Sequence, residues 1–243
     1  MRILLIIAIF ICSSLNFIGQ EKKIPESFSY LKSVELLSDF NIEQLGTPEF
    51  FYNPEITEVI NRPIDSTHIL YKEWAVDICL HEFAITKIDK NSNVKYHICF
   101  DYGMSYDPNF TIYKVVNDSP KHILSVNGMK MYIPGNGNIY IEGHTNNYFN
   151  ERRKFKLSND SIVEVNQPFK YVGIKTKSNG VLKLYSTMNQ KELVAVLPKN
   201  SEIEVLINMG NYYLIKSSFG LVGWWEFDGY YSEDIKEIFF NGD

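Results

Sequence analysis

The chain has 243 residues, with 24 Lys and Arg against 29 Asp and Glu, and a formal charge of −5. This acidic balance argues against a nucleic-acid partner, because phosphate binding needs clustered cations and the one local cluster, "RRK" at residues 152–154, is too short to reverse it. The length allows one or two domains.

The chain opens "MRILLIIAIFICSSLNFIGQ": a basic Arg2, an apolar run over residues 3–11, then a softer segment before the charged stretch at Glu21. That order reads as a secretory signal peptide over residues 1–20, with cleavage near Gly19 or Gln20. The run is about half of the roughly 20 apolar residues that span a bilayer, which argues against a permanent membrane helix. Cys12 follows Phe10 and Ile11 where a lipid-anchored chain needs a small residue, which argues against lipid anchoring. Removing residues 1–20 takes the balance from −5 to −6. No later stretch is apolar and long enough to span a membrane, so the expected address of the mature chain is the periplasm, the cell surface or the medium.

Over residues 25–45, "PESFSYLKSVELLSDFNIEQL" spaces Phe28, Leu31, Val34, Leu37 and Phe40 by threes, with Gly46 and Pro48 behind it, and reads as one helix or two short ones. From about residue 68 to 165 the pattern changes to short runs rich in Ile, Val, Tyr and Phe: "VKYHICF", "FTIYKVV", "HILSV", "KMYI", "NIYIEG", "RKFKL" and "SIVEV". The breaks "DKNSN", "NDSP", "NG", "PGNGN" and "SND" are the turn chemistry that links antiparallel strands, so a β-meander or open barrel is expected. "NQPF" at 166–169 marks a boundary, since its proline interrupts a strand ladder.

Two constellations in the β zone carry possible chemistry. "HEFAI" at 81–85 starts like a zinc-protease helix but lacks the second histidine and alternates like a strand. "CLH" at 79–81 and "HIC" at 97–99 mirror each other about "DKNSN", and two Cys with two His could make a zinc set or, in an oxidising compartment, Cys79 and Cys99 a disulfide. If Ile88 pairs with Val94, however, Cys99 faces Phe83 and His81 faces Asp101, which leaves the cysteines out of disulfide reach; two separate buried thiols are the favoured outcome, and no metal is expected. The second, "IEGHTNNYFNERRKF", gathers Glu142, His144, Asn146, Asn147, Arg152 and Arg153 near one connection. A His beside a carboxylate can move protons and the arginines can hold an anion, but a hydrogen-bonded loop is the commoner outcome. No Gly-x-Ser-x-Gly elbow, phosphate loop or dinucleotide fingerprint is present, since "PGNGN" runs into a strand, and neither a catalytic residue nor a cofactor is assigned.

Residues 169–228 hold "NGVLKLYS", "VAVLPKNSEIEVL" and "GNYYLIKSSFGLVGWWEF" in that order. This stretch resembles a bacterial SH3-like (SH3b) domain, matching its opening strand, its central turn between two strands and its closing hairpin with Gly-Trp. Asn200 stands where that turn usually has glycine, and Tyr212 where the closing hairpin often has tryptophan. The resemblance implies a small β-barrel over residues 167–229, common on exported envelope proteins. Trp224 and Trp225 should diverge to opposite faces, one entering the barrel core and one facing outward. With Tyr185 and Tyr212 they are the candidate binding residues, because Tyr and Trp combine contact area with a polar handle. The alternative is that these rings pack on the β zone or on a C-terminal helix over "SEDIKEIFF", within a helical tail at 230–243, whose Ile235, Ile238 and Phe239 form an apolar stripe. SH3b domains often accompany NlpC-type cysteine peptidases, but neither cysteine here starts an evident helix with a downstream His pattern.

The expected fold is therefore mainly β: an N-terminal helical segment and an antiparallel β-meander or open barrel over 21–166, whose family is not recognised, then the SH3-like barrel. The expected function is that of an exported, non-enzymatic binding protein whose barrel contacts cell-wall (peptidoglycan) peptides or an envelope protein. The alternatives are an envelope hydrolase with its site near His144, or a structural subunit of an envelope assembly.

Overall fold

A computed structural model describes residues 28–36, 46–71, 80–102, 107–159, 161–229 and 233–242. The signal-peptide reading and Cys79 lie outside them. The first strands are β1 (Lys32–Glu35) and β2 (Glu49–Tyr52), which pair antiparallel with Val34 opposite Phe50. Where it is described, the segment read as an N-terminal helix is thus a short turn over 28–30 followed by the strand at 32–35; the rest of that reading, residues 25–27 and 37–45, lies outside the described residues. The apolar spacing by threes was real but local. Leu31, Val34 and Leu36 are drawn against the aromatic strand "EFFY", and tertiary pairing overrides a weak helical pattern.

The next five strands form a meander in chain order: β3 (Thr57–Pro63), β4 (His81–Thr86), β5 (Tyr96–Asp101), β6 (Asn109–Val116) and β7 (Ser119–Asn127). Asn117 and Asp118 turn β6 into β7 with φ of 50° and 58°, the left-handed pair that a two-residue hairpin requires. Then β8 (Lys130–Ile133), β9 (Asn138–Gly143), β10 (Glu151–Ser158) and β11 (Ser161–Glu164) complete a second sheet of order β1-β2-β8-β9-β10-β11. All seven quoted runs are strands, but they divide between two sheets rather than closing one barrel, and β2 pairs with β8 in parallel. One core joins the sheets: Phe83, Ile98, Phe100, Phe110 and Ile112 of the meander with Phe50, Met131, Ile133, Ile139, Ile141 and Phe155 of the mixed sheet. Each such side chain contributes about 1.5–3 kcal/mol by leaving water.

The register of β4 against β5 follows the Ile88–Val94 frame for half its length, with Thr86 opposite Tyr96, Ile85 opposite His97 and Ala84 opposite Ile98. Phe83 is then an extra residue, a β-bulge, so Glu82 rather than Phe83 faces Cys99, and His81 faces Phe100 rather than Asp101.

The third sheet is built from β12 (Lys170–Lys177), β13 (Leu182–Tyr185), β14 (Leu193–Leu197), β15 (Glu202–Met209), β16 (Tyr212–Ser217) and β17 (Val222–Glu226), in the order β12-β15-β16-β17-β13-β14. Asn200 takes φ of 68° in the turn before β15, the conformation for which glycine is usually chosen. Inside the sheet lie Val172, Leu182, Leu184, Ile203, Val205, Tyr213, Ile215 and Trp225, joined by Phe149 from the loop before β10 and by Ile235 and Ile238 from the tail. The described tail residues, 233–242, contain no helix. They make a turn in which the Ile238 amide bonds the Ile235 carbonyl at 3.1 Å, with both isoleucines buried and Phe239 exposed. Burial of two apolar residues three apart is met here by one turn, so the apolar stripe needs no helix. No described helix is long and apolar enough to cross a membrane.

Gly223 in β17 is required by a close approach: a Cβ there would sit 2.9 Å from Leu184 Cβ and 3.0 Å from the Tyr185 carbonyl oxygen. Gly223→Ala should therefore destabilise the fold by about 1–3 kcal/mol, read as a lower urea midpoint with an unchanged slope.

Candidate functional site

The two adjacent tryptophans do part company across β17. Trp225 is buried against Tyr213 and Phe227, each 5.9 Å between ring centroids, and cannot touch a ligand in the folded chain. Trp224 is half-buried on the opposite face. Of the four candidate binding residues, Tyr185, Tyr212 and Trp224 share that outer face, and Trp225 belongs to the core.

Strand pairing sets Trp224 in a longer row. Tyr171 pairs with Ile207, Ile207 with Leu214, Leu214 with Trp224, Trp224 with Tyr185 and Tyr185 with Leu193. These residues give an unbroken apolar row that crosses every strand of the sheet on its outer side. At the usual strand spacing of roughly 4.8 Å it is about 24 Å long. Its ends are open, with Tyr171 59% and Leu193 54% exposed. The Arg152 guanidinium lies 5.6 Å over the Tyr171 ring. Two residues along on one flank, Tyr212 pairs with Glu226; its hydroxyl donates to that carboxylate, which raises the phenol's pKa. Two residues along on the other, Lys216 meets Glu204 at 3.2 Å, beside a cleft of about 700 Å³ lined by Lys175, Lys177, Glu202 and Ser218 as well. An apolar row between charged flanks suits an extended ligand with apolar side groups and a polar chain.

The cluster at 142–153 is held together by structural bonds. Glu142 accepts from Asn150 at 2.8 Å and Tyr132 at 3.3 Å and lies 3.7 Å from Arg152, its cross-strand partner. His144 bonds instead to the Phe239 carbonyl at 3.1 Å, while Asn146 donates to Asp107 and Asn147 to the Gly143 carbonyl. Arg153 donates to the Asn127 carbonyl. Among the described residues no carboxylate bonds His144, which instead fastens the tail.

The bulge at Phe83 assembles a cluster that sequence reasoning missed. Glu82, 1% exposed, lies on the meander face away from the main core. His97 Nδ1 bonds its Oε1 at 2.6 Å, and His68 Nε2 lies 3.0 Å from Oε2, within bonding distance but off the line of a good hydrogen bond. His68 comes from the turn at 65–71, where the Thr67 amide and hydroxyl bond Asp65 and hold its carboxyl below the usual range. Leu70, Leu80, Cys99 and Tyr113, with Ile64 and Val115, pack around the cluster. The signal available in the sequence was a lone Glu in an apolar strand; strict alternation put it on the wrong face. Cys99 is a free, buried thiol, and desolvation pushes its pKa well up. Among the described residues no group of three His, Cys, Asp or Glu can hold a metal ion. His81 is on the other face, 5.9 Å from the Phe83 ring and bonded to Asn61, so His81 does not join His97 and Cys99.

Trp225→Ala should cost roughly 3–5 kcal/mol of stability, and Trp224→Ala about 1 kcal/mol, measured by denaturant titration. Burial lowers the His81 pKa from 6.5 to about 4. The unfolded chain then binds the proton more readily than the folded one, so stability falls as pH drops from 6.5 towards 4. Melting across that range should show the loss, and His81→Gln should flatten it. No protein-family model, curated protein or solved structure matches the chain.

Proposed function

We propose that the chain is an exported protein whose SH3-like barrel binds cell-wall peptide through the outer row centred on Trp224. The carrying observation is the apolar row from Tyr171 to Leu193, which crosses every strand of the barrel sheet and ends open on both sides. Three features support a short peptide as ligand. Row length admits an extended chain, half-exposed aromatic rings give contact area at little entropic cost, and Glu226 with the Lys216–Glu204 pair offers partners for amines and carboxylates beside it. On this reading the barrel acts by binding, through the half-exposed rings of Trp224 and Tyr185.

Sedimentation of the purified mature chain with insoluble peptidoglycan tests the reading. Wild type should co-sediment, and Trp224→Ala or Tyr185→Ala should weaken binding about tenfold or more with the fold intact. Tyr212→Ala, at the flank, should weaken it less. Failure of wild type to sediment would discard the cell-wall ligand and direct the search to an envelope protein.

A further inference from the structure

Glu82 is the most expensive side chain in the meander. A carboxylate that is 1% exposed loses nearly all its hydration, at a cost of several kcal/mol, and an apolar residue would serve packing better. The chain also spends a bulge to turn it onto this face, and bulges recur beside active sites because they re-aim a side chain. What that expenditure holds is His97. A carboxylate only accepts, so the 2.6 Å bond places the proton of His97 on Nδ1 and leaves the lone pair on Nε2. His68 supports the other side. Its Nδ1 accepts the Leu70 amide at 3.1 Å, so its own proton sits on Nε2, facing Glu82. Among the described residues no hydrogen bond engages His97 Nε2, and the side chain is 14% exposed.

We propose that His97, oriented by Glu82 and His68, is a nucleophilic imidazole that hydrolyses small, neutral acyl esters. This goes beyond the binding role of the barrel and uses none of its residues. The cross-strand neighbours of His97 are Ile85 and Tyr113, both uncharged, which suits a neutral acyl group. Cys99 and Tyr113, the other titratable groups packed here, stay protonated at neutral pH, with the phenol pushed up to about 12, so neither competes as nucleophile. In the step, the Nε2 lone pair bonds to the ester carbonyl carbon and the carbon–oxygen bond to the leaving alkoxide breaks with its electron pair. The acylimidazolium keeps its Nδ1 proton against the Glu82 carboxylate. Water then adds to the acyl carbon, the carbon–nitrogen bond breaks back to Nε2, and the proton from water goes to the alkoxide. Ester and water become carboxylic acid and alcohol.

The test is hydrolysis of p-nitrophenyl acetate by the full mature chain, against free imidazole at equal concentration. Wild type should exceed imidazole, and His97→Gln, whose amide can still donate to Glu82, should lose about 10²-fold. As positioning residues, Glu82→Gln and His68→Asn should each lose about tenfold and change the shape of the pH–rate profile, which a purely structural change would only scale. Acid quench of the wild-type reaction followed by peptide mass analysis should find the acetyl group on the peptide that contains His97. This readout does not depend on how any variant folds. A wild-type rate no greater than imidazole, full activity in folded His97→Gln, or acetyl found elsewhere would each overturn the proposal.

Discussion

The central strands β4 and β5 of the meander are covered on both faces, and the rest of the structure is arranged around that constraint. On one face Phe83, Phe100 and Phe110 interlock at 5.1–6.2 Å between rings and seat the sheet on its neighbour. On the other, residues 64–71 lie across β4 and β5 and bury Leu70 against Cys99 and Tyr113. Any polar side chain in the central strands must therefore find its partners inside the protein. Asp101 and Thr111 do so in a chain that Asn109 and Ser125 carry out to the surface, and Glu82 does so through His97, with His68 beside its other oxygen. Hydrogen-bonded polar groups thus occupy a surface where a sandwich would ordinarily carry either solvent or oil.

The barrel sheet solves the complementary problem. Its inner face is apolar and well filled, yet its outer face keeps apolar residues in register across every strand instead of alternating them with charge from strand to strand. Lys175, Glu204 and Lys216 confine that row on one flank, so the exposed apolar surface is a stripe rather than a patch.

Strand content and turns were legible because they rest on local chemistry: period-two alternation, and Asn and Gly at positive φ. The opposite faces of Trp224 and Trp225 follow from the same alternation. What was not legible depended on partners distant in sequence. Val34 became a strand residue because Phe50 lies beside it, and Ile238 needed no helix because the barrel core accepts a turn. Glu82 was hidden by one inserted residue, since a bulge reverses which face every later side chain takes, and only the assembled register reveals it. The row from Tyr171 to Leu193 likewise exists only after the strands are ordered out of sequence.

The tail turn ties these parts together. Ile235 and Ile238 fill the barrel interior while His144 and Asn147 hold Phe239 and Asn241 from the mixed-sheet side, and Phe149 enters the same interior from the loop before β10. The core of the third sheet is thus complete only with pieces lent by the chain on either side of it. A fragment cut at 167 and 229 would keep the six strands of this sheet and lack three of the side chains that fill its centre. Phe149, Ile235 and Ile238 thus make the interior of the third sheet a joint product of three separate parts of the chain.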